Sequence, residues 1–130
     1  MFRKLTPVIA VESIEPCLPL WLHRLGFEKP VEVPEGDRLG FVILQKDGVE
    51  LMYQTRTSIL ADAGFDIPPG VPATSLFIEV ESLDQIINML GDYPVALPRR
   101  QTFYGMDEIG VRDAAGTLVI FACPLPGAAQ

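Results

Sequence analysis

Apolar and polar residues along the chain fall into two successive stretches with the same predicted order of elements. In the first stretch, the Val- and Ile-rich run Leu5–Val11 predicts a β-strand. Apolar residues then recur at helical spacing over Ile14–Leu25, with Ser13 as the expected N-cap and Gly26 as the expected end. Pro19 lacks the N–H donor that an interior helical position needs, so this helix is expected to start late or to kink.

The remainder of the first stretch predicts three more strands. Val31–Val33 is a short apolar segment that indicates a strand. Gly40–Gln45 and Val49–Thr55 are predicted to form a hairpin, because the Lys46–Gly48 segment between them contains Asp-Gly, a strong signal for a tight turn. The first stretch therefore reads as βαβββ.

The second stretch repeats this order. Thr74–Val80 predicts a strand, and Ser82 with Gln85 three residues later forms a capping box, which predicts the start of a helix. The helix is expected to stop at Gly91. The strands predicted to follow are Val95–Leu97, Met106–Arg112 and Thr117–Ala122, the last two as a hairpin.

The two stretches also share short sequences. Val11–Ser13 reads Val-Glu-Ser, and the same tripeptide recurs at Val80–Ser82, an offset of 69. Asp37–Phe41 resembles Asp107–Val111 at an offset of 70. Coincidence between two strand–helix junctions would explain one such match, but the common order of parts favours an internal repeat.

The repeat predicts an α+β fold of two βαβββ modules. Module one spans about residues 1–56, a linker about 57–72 and module two about 73–126. A helix covers only one face of such a sheet, so the second face needs other cover. Pairing the modules edge to edge would supply it, giving a curved, cup-shaped sheet with the helices outside. In the linker, Ser58–Ala63 is expected to form a helical turn at the rim.

Composition and charge restrict the class of protein. With 130 residues, of which 48% are hydrophobic, the chain suits one globular domain, and no apolar run is long enough to span a membrane. The net charge of −7 disfavours nucleic acid as a partner. Pro7 and Glu12 interrupt the N-terminal apolar run, which argues against a signal peptide. Cys17 and Cys123 stand in no paired motif, which indicates a reducing, cytoplasmic setting and leaves a disulfide between them open.

Four segments carry a resemblance to a known superfamily. They are Pro7–Phe27, Gly48–Thr55, Thr74–Gln85 and Tyr104–Phe121. In this order they resemble the vicinal oxygen chelate superfamily, which includes glyoxalase I, bleomycin-resistance proteins and extradiol dioxygenases. The resemblance implies paired βαβββ modules and often a homodimer. It does not fix the activity, because one fold serves many functions.

In the metal-dependent members of this superfamily, one ligand lies on the first strand of each module and one on the last. Alignment on the repeated tripeptide puts these positions at Thr6, Glu50, Ser75 and Ile120. Only Glu50 is a usual ligand, and a catalytic metal generally needs three. The resemblance therefore implies no catalytic metal and no cofactor. Glu79, Glu108 or the sole histidine, His23, are replacement ligands on paper, but His23 lies on the predicted outer helix.

Period-two alternation along the strands selects the side chains that would line the cup. The predicted ligand-binding residues are Thr6, Val8, Phe41, Met52, Ser75, Phe77, Glu79, Phe103, Tyr104, Met106 and Glu108. An apolar, aromatic surface with a few carboxylates suits a flat or cationic organic molecule. The alternative is that these side chains simply fill the sheet interior.

Three functions are compatible with the sequence. The first is a metal-free binding protein similar to bleomycin-resistance proteins, with an organic small molecule as partner. The second is an enzyme of lyase, isomerase or dioxygenase type, with Glu50 as a metal ligand or as a general base whose pKa an apolar cup would raise. The third is a structural or regulatory dimer. Arg38, Arg99 and Arg100 are candidate partners for Glu50, and the last two are alternatively a clamp for an anionic ligand.

Overall fold

Two four-stranded sheets with the same strand order organise residues 1–127, the part of the chain that the computed structural model describes. The first sheet belongs to unit one, Met1–Gly70, and the second to unit two, which begins at Val71. Each unit contains its own complete sheet and its own helical connection.

The sheet of unit one confirms the predicted hairpin. Its strands are β1 (Val8–Val11), β2 (Glu28–Glu35), β3 (Arg38–Lys46) and β4 (Val49–Thr55), in the order β1-β4-β3-β2. β1 runs parallel to β4, and the other neighbours are antiparallel. Asp47 (φ 51°) and Gly48 (φ 81°) both adopt the left-handed conformation that a type I′ turn requires.

The sheet of unit two repeats this topology. Its strands are β5 (Leu76–Glu79), β6 (Leu97–Gln101), β7 (Met106–Arg112) and β8 (Leu118–Pro124), in the order β5-β8-β7-β6, with β5 parallel to β8. The α+β class and the duplicated βαβββ unit are confirmed. Pairing of the two modules into a cup stays a prediction.

Several strand ends differ from the sequence prediction. β1 and β5 begin two or three residues later than expected, at Val8 and Leu76. β2 extends over Glu28–Glu35, well beyond Val31–Val33, and β6 occupies Leu97–Gln101 rather than Val95–Leu97. Both are edge strands rich in charged residues. Their backbones are ordered by pairing with β3 and β7, which intrinsic strand propensity does not reveal.

The segment Ile14–Leu25 is helical but interrupted at Pro19, as the sequence predicted, and neither part is a regular α-helix. The segment forms a 3₁₀ turn at Glu15–Cys17 and then a six-residue π-helical turn at Pro19–Arg24. Pro19 has no N–H to continue the first turn, and the second turn closes with Leu25 N–H donating to Leu20 O at 3.0 Å. Ile14, not Ser13, occupies the N-cap position, and no side chain caps it in the described structure.

A buried hydrogen bond joins these turns to the sheet of unit one. Trp21 is fully buried, and its indole Nε1–H donates to the hydroxyl of Tyr53 on β4 at 2.9 Å. The ring of Phe27 meets the Trp21 ring edge-on, with centroids 5.0 Å apart. The other buried hydrophobic side chains of the unit are Ile9, Val11, Ile14, Cys17, Leu20, Leu25, Val42, Leu44 and Leu51.

The helix of unit two begins and ends as predicted. α2 runs over Leu83–Leu90; Ser82 Oγ accepts from the backbone N–H of Gln85 at 3.2 Å, and Gly91 follows the last helical residue. Its buried residues Leu83 and Leu90 belong to a core that also contains Ile109, Val111, Val119 and Phe121. Salt bridges from Arg99 on β6 to Asp84 on α2 and to Asp107 on β7, both 2.8 Å, tie the helix to the sheet.

The α-helix of unit one is exposed. α1 spans Arg56–Ala63, extends the predicted helical turn by two residues and buries none of its side chains. Thr55 Oγ1 caps it by accepting from the Ser58 N–H at 3.0 Å. Across residues 1–127, no helix has the length and apolar character needed to cross a membrane.

Tyr53→Phe should lower the free energy of unfolding by about 1–3 kcal/mol, because it leaves the buried Trp21 N–H without its acceptor. Urea unfolding followed by tryptophan fluorescence measures this. The matched control is Tyr93→Phe, which removes a hydroxyl whose bond to the Arg112 carbonyl lies at the surface; it should cost less than about 0.5 kcal/mol. Equal losses of unfolding free energy in the two variants would show that the buried Trp21–Tyr53 bond stabilises the fold no more than a surface hydrogen bond does.

Candidate functional site

Each sheet packs one face against its helical segment and leaves the other open. In unit one, the strand register arranges the open face in three rows. These are Thr6, Glu50, Gln45 and Glu28; then Val8, Met52, Ile43 and Val31; then Ala10, Gln54, Phe41 and Val33. The first row is polar and the second wholly apolar, and Val8 remains 52% exposed. We call this surface the unit-one face.

Glu50 lies in the polar row with both carboxylate oxygens engaged. Oε1 accepts from the Lys4 ammonium at 2.8 Å and from the Thr6 hydroxyl at 3.1 Å. Oε2 accepts from the side-chain amide of Gln45, the residue opposite it on β3. The Glu50 side chain is only 10% exposed, whereas Lys4 is largely in solvent.

These contacts lower the pKa of Glu50. The hydrogen bonds from Lys4 and then Gln45 are the main causes, because they favour the ionised carboxylate and outweigh its desolvation. The raised pKa expected from the sequence is therefore wrong. A carboxylate that is held ionised and already accepts three hydrogen bonds is a weak general base.

A cavity of about 630 Å³ adjoins the polar row at the β3–β4 turn. Its lining is mostly polar or charged: Lys4, Gly26, Glu28, Gln45, Lys46, Asp47, Gly48, Val49 and Glu50. Lys46 Nζ donates to the Leu25 carbonyl at 2.8 Å, so this lysine also fixes the end of the π-helical turn. Most of the residues lining the cavity are charged or polar, whereas a pocket for an organic ligand is typically lined mainly by hydrophobic and aromatic side chains.

The open face of unit two carries a different set of side chains, which we call the unit-two face. One row contains Phe77, Ile120, Gly110 and Leu97, and the next contains Glu79, Ala122, Glu108 and Arg100. Phe77 is 51% exposed. Apolar and aromatic surface therefore lies beside an ion pair whose carboxylate is buried.

That ion pair is formed by Glu108 and Arg100. Arg100 Nε and Nη2 both lie 2.8 Å from Glu108 Oε1, and the hydroxyl of Tyr104 donates to Oε2 at 2.9 Å. Glu108 has no exposed surface, whereas Arg100 is 55% exposed. The hydrogen bond to Glu108 raises the pKa of the Arg100 guanidinium, which keeps it charged.

A tight turn between β6 and β7 presents the aromatic residues Phe103 and Tyr104. Thr102 Oγ1 accepts from the Met106 N–H at 3.0 Å, and Gly105 N–H donates to Thr102 O at 3.2 Å with a left-handed Gly105 (φ 82°). The two rings meet edge-on with centroids 5.0 Å apart. Phe103 is completely exposed, so an aromatic surface stands free beside the ion pair.

Known structures share this fold over most of their length. A glyoxalase/bleomycin resistance protein/dioxygenase from Nocardioides superposes with a TM-score of 0.75 and 15% identity over 100% of this chain and 90% of its own. A lactoylglutathione lyase from Agrobacterium tumefaciens gives 0.74 and 15% over 93% and 92%, and a glyoxalase-related enzyme from Fulvimarina pelagi gives 0.71 and 14% over 94% and 88%. No protein-family model and no curated protein matches the sequence.

The chain has the vicinal oxygen chelate fold. The predicted resemblance is confirmed at the level of the fold. At identities of 14–15%, the superpositions carry no ligand, metal or reaction over to this chain.

The strand register corrects one position of the ligand alignment for this fold. Val8 lies opposite Met52 in unit one, and its repeat equivalent Phe77 lies opposite Ile120 in unit two. Ile120 therefore corresponds to Met52, and the residue equivalent to Glu50 is Leu118, two positions earlier. Both candidates are aliphatic, so the correction supplies no new metal ligand.

The donor set does not fit a metal of the vicinal oxygen chelate type. Thr6 donates its hydroxyl hydrogen to Glu50, and the ammonium of Lys4 lies where a cation would approach that carboxylate. Ser75 is exposed at the start of β5, and His23 is exposed on the π-helical turn. Within residues 1–127, no group of three or more His, Cys, Asp or Glu side chains is placed to bind a metal ion.

The predicted binding residues that lie on strands fall on the open faces of the two sheets. The members on the unit-one face are Thr6, Val8, Phe41 and Met52, and those on the unit-two face are Phe77, Glu79, Met106 and Glu108. Phe103 and Tyr104 lie on the adjoining turn, and Ser75 precedes β5. The face on which each strand residue points agrees with the alternation that the sequence showed.

The three arginines predicted as candidate partners of Glu50 form ion pairs with other carboxylates. Arg38 binds Glu35, Arg99 binds Asp84 and Asp107, and Arg100 binds Glu108, so Glu50 pairs with Lys4 instead. The sequence contains a pattern from which the partners of Glu50 could have been predicted. Lys4 shares the alternation of Thr6 and Val8, and a two-residue turn places Gln45 opposite Glu50.

Glu50→Gln should make the protein less sensitive to acid. Because folding lowers the pKa of Glu50, its stabilising contribution is present above the unfolded pKa and is lost as the pH falls through the folded value. Urea unfolding midpoints measured from neutral pH to below about pH 4, under the ordinary glutamate pKa, should fall less steeply in Glu50→Gln than in the wild type.

Lys4→Met is the matching variant, because the Lys4 hydrogen bond is the largest cause of the lowered pKa. It should flatten the acid limb in part, because the hydrogen bonds from Gln45 and Thr6 still lower the pKa of Glu50, and the double variant should match Glu50→Gln. Glu15, whose pKa is lowered chiefly by the backbone N–H of Leu39, should keep contributing in all three. An acid limb that is unchanged in both single variants would refute the assigned contacts.

Proposed function

We propose that the protein binds small organic molecules with apolar or aromatic surface on its open sheet faces, without a catalytic metal. The observation that carries the proposal is that these faces combine apolar side chains with substantial exposure. Val8, Val33 and Phe77 are about half exposed although they lie on ordered strands. Contiguous apolar surface of this kind marks a site of interaction in a folded protein.

The unit-one face has the composition expected of a binding surface for such molecules. Its second row is an unbroken series of aliphatic side chains and Met52, and methionine adapts its shape to varied ligands. The amides of Gln45 and Gln54 flank this row on either side, so polar groups of a ligand would find partners there. A few polar groups around an apolar centre is the common plan of ligand sites.

The ion pairs change the expected charge of the ligand. The sequence favoured a cationic ligand because carboxylates lie on both faces. Glu50 is paired with Lys4 and Glu108 with Arg100, so neither presents an uncompensated negative charge, and the exposed Glu79 is the carboxylate of the predicted set that keeps its charge at the surface. The proposal is therefore for ligands recognised by their apolar or aromatic surface.

An enzymatic role finds less support. Two proteins of the same fold, a lactoylglutathione lyase and a glyoxalase-related enzyme, are described as enzymes, so the fold is compatible with catalysis. In this chain, however, Glu50 has a lowered pKa and a full set of donors, and the metal positions hold Thr6, Ser75 and Leu118. These features favour binding over catalysis.

Met52→Glu should weaken binding of phenylnaphthylamine, an uncharged aromatic probe whose fluorescence rises on apolar surfaces. Losing some 50 Å² of apolar contact corresponds to about tenfold in the dissociation constant. The control is Leu60→Glu, which adds the same charge at an exposed apolar position on α1, away from the strands. Leu60→Glu should leave the titration unchanged. No saturable probe binding to the wild type, or equal weakening in both variants, would contradict the proposal.

Native mass spectrometry of protein purified without chelator tests the remaining parts of the proposal. We expect a species at twice the 14.3 kDa chain mass, because members of the superfamily that the chain resembles are often homodimers. We also expect no stoichiometric divalent metal. Any retained organic mass would identify a ligand directly, with the denatured protein as the mass reference. A stoichiometric metal that survives dilution would overturn the metal-free assignment and restore the enzyme hypothesis.

A further inference from the structure

We propose that Arg100 is a receptor for a planar anionic group, so that the unit-two face selects aromatic acids such as aryl carboxylates or sulfonates. This inference rests on the proposed function and specifies the class of ligand. It arises from three features of the described residues: an anchored arginine with an unused edge, a carboxylate buried beneath it, and a free aromatic surface beside it.

Arg100 is fixed in place but only partly used. Its Nε and Nη2 both donate to Glu108 Oε1 at 2.8 Å, whereas Nη1 has no hydrogen-bond partner among residues 1–127. The side chain is 55% exposed. A guanidinium offers five N–H donors in one plane, so an outward-facing edge remains for a carboxylate or a sulfonate.

Arg99 shows that this unused edge is specific to Arg100. Arg99 donates Nε and Nη2 to the two oxygens of Asp107 and Nη1 to Asp84, so all three of its nitrogens are committed. The two arginines are neighbours in sequence, and each is paired with a carboxylate of β7. Only Arg100 keeps a nitrogen available for a ligand.

Glu108 positions the guanidinium without presenting its own charge. Its carboxylate is fully buried, with Oε1 occupied by Arg100 and Oε2 by the hydroxyl of Tyr104. A molecule approaching Arg100 therefore meets N–H donors and not the oxygens of Glu108. The exposed carboxylate of this row, Glu79, lies on β5, at the opposite edge of the sheet from Arg100 on β6. Because Arg100 is already ordered, binding of an anion costs less side-chain entropy than at a free surface arginine.

The aromatic part of the ligand would contact the β6–β7 turn. Tyr104 belongs to the ion-pair cluster through its bond to Glu108, and its ring meets that of Phe103 edge-on at 5.0 Å. Phe103 is completely exposed and sits in a turn closed by hydrogen bonds to Thr102. An aryl group beside the anion would stack or pack edge-on against these rings.

The overall charge makes this selectivity easy to detect. The chain carries a net charge of −7, which repels anions in general. A preference for an anionic ligand over its neutral counterpart therefore has to come from a local cationic group.

Two fluorescent probes with the same aromatic frame separate this proposal from the previous one. Anilinonaphthalene sulfonate carries the anion, and phenylnaphthylamine lacks it. The wild type should bind the sulfonate about tenfold more tightly, as expected for a charge-assisted hydrogen bond. The double variant Arg100→Gln/Glu108→Gln removes the cation without leaving a buried charge unpaired. It should lose this preference and still bind the neutral probe.

Arg99→Gln is the matched control and should keep the preference, because it removes an arginine of equal charge whose nitrogens are all committed. Arg100→Lys provides a second test that keeps Glu108 paired; it should weaken sulfonate binding at least threefold and leave the neutral probe unchanged. If circular dichroism shows that the double variant is unfolded, Arg100→Lys decides the matter.

The outcomes distinguish the two proposals. Saturable binding of the neutral probe with no preference for the sulfonate would overturn the Arg100 assignment and leave the proposed function standing. A preference that survives in the Arg100 variants would also overturn it, since the anion would then bind elsewhere, for example near Lys4 and Lys46. Binding of neither probe would refute the proposed function itself.

Discussion

One-sided burial is the constraint on which the rest of each module depends. A helical segment packs on one face of each four-stranded sheet, and the Trp21–Tyr53 hydrogen bond shows how closely that contact is made in unit one. Strand residues alternate between faces, so fixing one face fixes the identity of every residue on the other. The composition of the open faces is therefore a consequence of the register that the buried cores of Leu51 and Tyr53, and of Val119 and Phe121, impose.

The sequence predicts what depends on local chemistry and on periodicity. The Asp-Gly turn, the Ser82 capping box and the alternation that groups Thr6 with Val8 are all present in the structure, because a few neighbouring residues determine each of them. The π-helical turn was not predictable in detail. Pro19 excludes a regular continuation, but whether the backbone then kinks, restarts or widens depends on packing Trp21 and Leu20 against the sheet. The bounds of edge strands such as β6 were not predictable for a similar reason, because pairing with a neighbouring strand orders their backbone.

The sequence predicts which side chains share a face of each sheet, but not which of them form ion pairs. Alternation identifies the side chains that share a surface, whereas an ion pair depends on which long side chains can reach each other across strands. Glu50 and Glu108 were both expected as negative features of one surface. Each is instead satisfied by a cation and a hydroxyl, from Lys4 and Thr6 and from Arg100 and Tyr104. A carboxylate on an apolar face needs such partners, because an unpaired one would be costly to desolvate.

Comparing the two modules through their registers shows where they have diverged. The row that carries Val33, Phe41 and Gln54 in unit one carries Arg100, Glu108 and Ala122 in unit two. The aliphatic–aromatic pair of unit one thus corresponds to an ion pair with a buried carboxylate at the equivalent sites of unit two. An ion pair adds little to stability when hydrophobic residues of similar volume fit the same place. Its presence on the open face, with the guanidinium toward solvent and the carboxylate beneath, is explained more readily by recognition of an anion than by support of the fold.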